Sequence, residues 1–110
     1  MASPLSKNIG REIPADQGKA WIKKFQDEKR GSIKAVFYGS NILEAILAQK
    51  DCVGIRIYNA VDDNGISTFV LVGAKENGNN IWVSTHPDGT PNGILGDWGS
   101  PCPPGCADNE

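Results

Sequence analysis

Two β-rich runs of largely apolar residues in the middle of the chain predict a β-hairpin. The runs are CVGIRIYNAV (52–61) and ISTFVLVGA (66–74), both rich in β-branched residues, with DDNG between them. Asn and Gly tolerate the positive φ angles of a tight turn, so we expect the runs to pair antiparallel. A further apolar run, IWVS (81–84), follows the turn sequence KENGNN and predicts the third strand of a meander. The stretch 69–72 is apolar on both faces and should be central.

Apolar residues at helical spacing predict two helices before this hairpin. The first covers 14–30, where Trp21 and Phe25 stand four residues apart and form a narrow apolar stripe. We expect this stripe to be buried against the sheet. The second covers 41–49, with Ser40 as its N-terminal cap.

The segment SIKAVFY (32–38), between the two helices, predicts another strand. Its connection to the hairpin, residues 39–52, is long enough for a right-handed crossover between parallel strands, which would give a mixed sheet. Antiparallel pairing at the other edge of the sheet is the alternative. In both cases the predicted fold class is α+β, a small mixed or antiparallel sheet of about four strands with two helices.

The length of 110 residues predicts a single domain, 1–110, with an N-terminal arm at 1–13. The last part, 86–110, is rich in Gly and Pro and has no period, so it predicts an irregular C-terminal segment. Ile94, Leu95 and Trp98 in this segment are expected to hold it against the sheet.

Charge is unevenly distributed around a net value of −2, since basic residues predominate up to residue 50 and acidic residues after it. The two halves are therefore expected to attract each other, within the fold or across a homodimer. The lysines of the first helix stand near Asp27 and Glu28 and no aromatic residue interleaves with them, so nucleic-acid binding is not expected. No apolar run resembles a signal peptide or a membrane span, which predicts a cytoplasmic location.

The terminal sequence PCPPGC carries a candidate thiol pair, Cys102 and Cys106. Three interpretations remain open: a reversible disulfide, part of a metal site completed by Cys52 and His86, or thiols without chemistry. The spacing is unlike redox motifs with two intervening residues, and structural zinc sites use close ligand pairs, so neither a metal nor a cofactor is expected. Because an odd cysteine count suits a reducing compartment, we expect free thiols.

No enzyme class is indicated by the remaining residues. A glycine-rich phosphate loop and a nucleophile elbow are both missing from the sequence, and the single His86 has no visible nucleophile partner. Arg56 and Tyr58 alternate with Ile55 and Ile57, so they share one face of the predicted strand. That face is a candidate binding face, unless the two side chains serve to cover the sheet with their apolar stems.

Three pieces of the sequence, taken in order, carry a resemblance: CVGIRIY (52–58), FVLVGAKENGN (69–79) and CPPGC (102–106). Together they resemble a group of small bacterial proteins common in the Bacteroidetes. The resemblance implies one small domain and supplies no activity, cofactor or site residue. Two hypotheses follow from the sequence: a small non-catalytic interaction or binding module, as a homodimer or with a protein partner, and a thiol-active or metal-binding protein using Cys102 and Cys106.

Overall fold

The computed structural model describes residues 4–28, 33–82, 94–97, 99–102 and 107. The described elements are α1 (Ala15–Asp27), β1 (Ala35–Phe37), α2 (Ser40–Leu47), β2 (Cys52–Val61), β3 (Ser67–Lys75), β4 (Leu95–Gly96) and β5 (Ser100–Cys102). The strands form two small antiparallel sheets, so the α+β class is confirmed. The chain divides into two compact units, Met1–Ile9 with Tyr38–Gly99 and Gly10–Phe37 with Ser100–Glu110.

The first unit contains a three-stranded sheet in the order β2-β3-β4, in which β2 and β3 form the predicted hairpin. The DDNG turn closes it: Oδ1 of Asp62 accepts hydrogen bonds of 2.9 Å from the backbone N–H groups of Asn64 and Ile66. Gly65 has a φ of 79°, a conformation that glycine adopts without strain. Asp62 at this turn therefore serves backbone geometry.

The third strand of this sheet comes from a different segment than the sequence predicts. β4 pairs with β3 through Leu71 opposite Gly96 and Val72 opposite Leu95. Of the predicted strand 81–84, residues 83 and 84 lie outside the described residues, and the preceding Asn80 forms an isolated bridge to Ala74. A two-residue strand is too short to show a periodic pattern, so the sequence predicts an irregular segment at this position.

Helix α2 packs on one face of this sheet, at two glycines that allow a close approach. A Cβ atom on Gly73 would lie 2.9 Å from Sγ of Cys52, and one on Gly96 would lie 3.1 Å from Cγ1 of Ile42. The buried core consists of Ile46, Cys52, Leu71 and Ile81, with Tyr38, Ile42, Leu43, Ile55 and Ile94 packed against it. Small residues on the sheet and branched residues on the helix thus form a single interface.

Ile94 holds the C-terminal segment to this unit, as the sequence predicts. The backbone N–H of Ile94 donates a hydrogen bond of 2.9 Å to Oε1 of the buried Gln49. Leu95, the second expected anchor, pairs with Val72 in β4, but its side chain is exposed. Trp98, the third, lies outside the described residues. The predicted cap of α2 is wrong by one position, because Gly39 is the N-cap and Ser40 is the first helical residue.

The second unit contains α1 and the two-stranded sheet formed by β1 and β5. Ala35 lies opposite Cys102 and Phe37 opposite Ser100, and the N–H of Lys34 donates a hydrogen bond of 2.6 Å to the carbonyl of Cys102. β1 therefore pairs antiparallel with a strand from the C-terminal segment. The predicted parallel crossover from this strand into the hairpin sheet is wrong.

Helix α1 forms within its predicted range, but the predicted burial of its apolar stripe is wrong. The side chains of Trp21 and Phe25 are 52% and 39% exposed, and no residue of the helix is buried. With Ile22 they are the only large apolar residues in a helix rich in lysine, so the stripe has little area to bury. Lys23 and Asp27 form an exposed ion pair of 2.7 Å on the charged face.

Neither helix in the described residues is long and apolar enough to cross a membrane.

Candidate functional site

Arg56 and Tyr58 lie on the sheet face that α2 does not cover. Their partners on β3 are Val72 and Val70, whereas the neighbouring Ile55 pairs with Gly73, against which α2 packs. Because side chains alternate along a strand, Arg56 and Tyr58 point to one face of the sheet and Ile55 points to the other. Val72 is fully buried although it belongs to the face without a helix. Val72 is therefore covered by other residues on this face, where Arg56 is its cross-strand partner.

A hydrogen-bond chain joins Arg56 to Tyr58 through Asn80. The Arg56 guanidinium donates to Oδ1 of Asn80 and, at 3.1 Å, to the carbonyl of Gly78. Nδ2 of Asn80 donates in turn to the Tyr58 hydroxyl at 2.7 Å. The bridge between Ala74 and Asn80 places this amide on the same face of the sheet. Both ends of the amide are thus used, which fixes its orientation.

Tyr58 also stacks on Trp82, with ring centroids 6.3 Å apart and ring planes at 26°. Both rings are exposed to solvent. Sequence reasoning identified Tyr58 and missed Trp82 and Asn80, because IWVS was interpreted as a regular strand. The turn KENGNN, which the sequence predicts, brings the chain back beside β3, but no sequence pattern indicates that Asn80 and Trp82 reach Tyr58 on β2.

Strand β2 is an edge of its sheet in the described part of the chain. The N–H of Asp62 donates to the carbonyl of Ile66, so the alternation of an antiparallel ladder directs the backbone groups of Ile57, Asn59 and Val61 outward. Among the described residues, none of these outward groups has a hydrogen-bond partner. The side chains of Ile57 and Val61 are exposed as well.

From Ile57 to Val61 the edge lacks the residues that usually protect such strands. Natural edge strands carry Lys, Pro or bulges that prevent pairing with another chain. β2 has no Lys and no Pro, and its register irregularity lies at its first residues, between Cys52 and Gly54. The remainder of the strand is regular, so the edge is open to another strand.

The cysteines do not assemble into a common site in the described residues. Cys52 is a free, buried thiol whose Sγ donates to the carbonyl of Gly54 at 3.2 Å, as a core residue. Cys102 is buried and disulfide-bonded, so the expected free thiol at this position is wrong. Cys106 and His86 lie outside the described residues. The part of the chain that is described holds no group of three or more metal-ligating side chains.

No protein-family model, curated protein or solved structure matches this chain. The resemblance to small bacterial proteins of the Bacteroidetes therefore stays a prediction.

Proposed function

We propose that this chain is a small non-catalytic interaction module that binds protein by strand addition at β2, and that its first partner is a second copy of itself. The observation that supports this proposal is the open outer edge of β2, ten residues long, flanked by the exposed Ile57 and Val61. An added strand satisfies the free backbone groups, and alternate side chains provide specificity.

A second β2 is a suitable occupant because an antiparallel strand is complementary to itself under two-fold rotation. With the axis at Asn59, Ile57 of one protomer lies opposite Val61 of its partner, and these are the exposed apolar residues of the edge. In the same register Arg56 stands opposite Asp62, so opposite charges meet across the axis. One Ile57–Val61 pair then lies on each side of the axis, and the pair of Asn59 side chains lies between them.

The oligomeric state in solution tests this proposal. Ile57→Lys adds a charge to the pairing edge, whereas Ile66→Lys makes the same chemical change in the hairpin turn; the two side chains are 63% and 61% exposed. By sedimentation equilibrium we expect the parent and Ile66→Lys to be dimers and Ile57→Lys to be a monomer. A monomeric parent, or equal behaviour of the two variants, contradicts the proposal.

The register has its own test. Paired residues in an antiparallel ladder have Cα atoms about 5.5 Å apart, a separation that suits a disulfide. Asn59→Cys in a Cys52→Ala, Cys102→Ser, Cys106→Ser background is expected to crosslink into a covalent dimer on mild oxidation. Thr68→Cys, on the central strand β3, is the control that should remain uncrosslinked.

The second candidate function is thiol chemistry at Cys102, and the disulfide at this residue favours it. Disulfides are rare in reducing compartments, so the proposed cytoplasmic location is compatible with this bond if the bond is reversible. The pairing partner we propose is Cys106. Mass spectrometry after alkylation, with and without reductant, reports the redox state, and elemental analysis of the reduced protein tests for bound zinc. Strand pairing at β2 should persist under reduction, which separates the two candidates.

A further inference from the structure

A hollow of about 340 Å³ lies in the first unit, between the N-terminal arm and the start of β2. Its lining includes Leu5, Lys7 and Ile9 of the arm and Val53, Gly54 and Arg56 of β2. Its volume is within the range of small-molecule sites in proteins. All of these residues belong to one compact unit.

The hollow exists because two small residues meet on one face of the sheet. Gly54 and Ala74 are cross-strand partners, so this position carries no more than a single methyl group. A Cβ atom added to Gly54 would meet no other atom within 4 Å. The arm lies beside this depression, since the N–H of Leu5 donates a hydrogen bond of 2.7 Å to the carbonyl of Glu76. The space is thus a consequence of the sequence at two positions.

The lining combines apolar side chains with two cations and no acid. Leu5, Ile9 and Val53 contribute apolar surface, whereas Lys7 and Arg56 contribute positive charge. The hydrogen-bond partners of Arg56, Gly78 and Asn80, are neutral acceptors, so they do not compensate its charge. Neither cation forms an ion pair with another described residue. A cation beside an apolar space and without a carboxylate attracts an anion.

We propose that this hollow binds a small aliphatic molecule with one anionic head group. The chain of the ligand lies over Gly54 and Ala74 in contact with the apolar lining, and the head group meets Lys7 and Arg56. Both a carboxylate and a phosphate satisfy this chemistry. The hollow shares Arg56 with the proposed dimer, in which this residue stands opposite Asp62 of the partner subunit, whereas Lys7 and the apolar lining belong to the hollow alone.

Titration with octanoate, followed by amide chemical shifts, tests the site. We expect saturable shifts at Val53, Gly54 and Ile55 with octanoate and also with octyl phosphate. The dissociation constants of the two ligands show which head group the site prefers. Octanol and octylamine are expected to bind at least about tenfold more weakly, because a charge-assisted hydrogen bond is lost or replaced by repulsion. No saturable shift with either anion, or equal binding of octanol, overturns the proposal.

Two variants locate the ligand. Gly54→Leu fills the hollow and Lys7→Glu reverses one charge of the lining, and both are expected to lose octanoate binding. Lys50→Glu, an exposed residue outside the lining, is the matched control and should bind as the parent does. If Gly54→Leu fails to fold by circular dichroism, Lys7→Glu on the exposed arm still decides. Unchanged binding by Lys7→Glu contradicts the assigned head-group contact.

Discussion

Asn80 donates a hydrogen bond of 2.7 Å from its side-chain amide to the hydroxyl of Tyr58, and this bond joins β2 to the segment that follows β3. The same amide accepts from Arg56, so a single side chain holds both candidate residues of the binding face. The stacked Trp82 completes the cluster. Loss of Asn80 should therefore loosen the side chains of Arg56 and Tyr58 on this face.

Asn80→Ala tests this role. We expect a loss of about 0.5–1.5 kcal/mol in the free energy of unfolding, the usual net contribution of a hydrogen bond. The near-ultraviolet circular dichroism of the folded protein should also weaken, because Tyr58 and Trp82 lose their fixed geometry. Asn41→Ala, an exposed position in α2, is the control and should change neither signal. An unchanged near-ultraviolet spectrum in Asn80→Ala would show that the stack does not depend on the amide.

Gly73 is predicted to be intolerant of any side chain. An added Cβ would lie 2.9 Å from Sγ of Cys52 and 3.1 Å from Nε2 of Gln49, both buried. We expect Gly73→Ala to lower the free energy of unfolding by about 1–3 kcal/mol through overpacking. Gly54→Ala, on the neighbouring strand with open space at its Cβ, is the matched control and should be close to neutral. Denaturant unfolding of the two variants measures the difference.

The positions of Ile46 and Trp21 predict a large loss of stability on truncation of the first side chain and a small loss on truncation of the second. Ile46 has no exposed surface and belongs to the core, so Ile46→Ala should cost about 2–5 kcal/mol. Trp21 is half exposed on a helix without buried residues, so Trp21→Ala should cost about 1 kcal/mol or less. The melting temperatures of the two variants check this order. A larger loss in Trp21→Ala would mean that α1 is covered in solution.

Local patterns explain why the hairpin was predictable. The strands of CVGIRIYNAV and STFVLVGAK extend over 10 and 9 residues, and the turn between them has its own side-chain chemistry at Asp62. α2 was predictable for the same reason, since its apolar residues recur at helical spacing. The assignment of Arg56 and Tyr58 to one face followed from alternation alone.

Features that depend on contacts between distant segments could not be predicted. β4 and β5 have 2 and 3 residues, too few for a periodic pattern, and each is defined by its pairing with a remote strand. The stripe of α1 has helical spacing, but spacing does not state how much area a partner buries. Asn80 and Trp82 reach Tyr58 through a turn geometry that hydrophobic periodicity does not encode.

Tyr38 is predicted to make stability pH-dependent in alkaline solution. Its hydroxyl donates a hydrogen bond of 2.8 Å to the carbonyl of Phe69 in the first unit. Burial, and secondly the nearby carboxylate of Asp97, raise the pKa of Tyr38, while a hydrogen bond with the backbone of Gly99 opposes them. The folded-state pKa therefore lies above the unfolded value of about 10.

The direction of the effect follows from proton linkage. Between the two pKa values, the unfolded chain has released the phenolic proton and the folded chain still holds it, so rising pH favours unfolding. The stabilising contribution is complete below pH about 10 and is lost as the pH rises through the folded-state pKa. Tyr38→Phe has no proton to release, so its free energy of unfolding should fall less steeply above this pH than that of the parent.

Asp97→Asn separates the two causes. The amide keeps an oxygen that can accept the 2.6 Å hydrogen bond from the Thr68 hydroxyl, but it removes the negative charge near Tyr38. Its alkaline slope should lie between those of the parent and Tyr38→Phe, because burial still raises the pKa of Tyr38 after the charge is gone. Urea unfolding of the three proteins at intervals from pH about 8 to 11 brackets the tyrosine titration and measures the slopes. Equal slopes in the parent and Tyr38→Phe would assign the alkaline loss of stability to other groups.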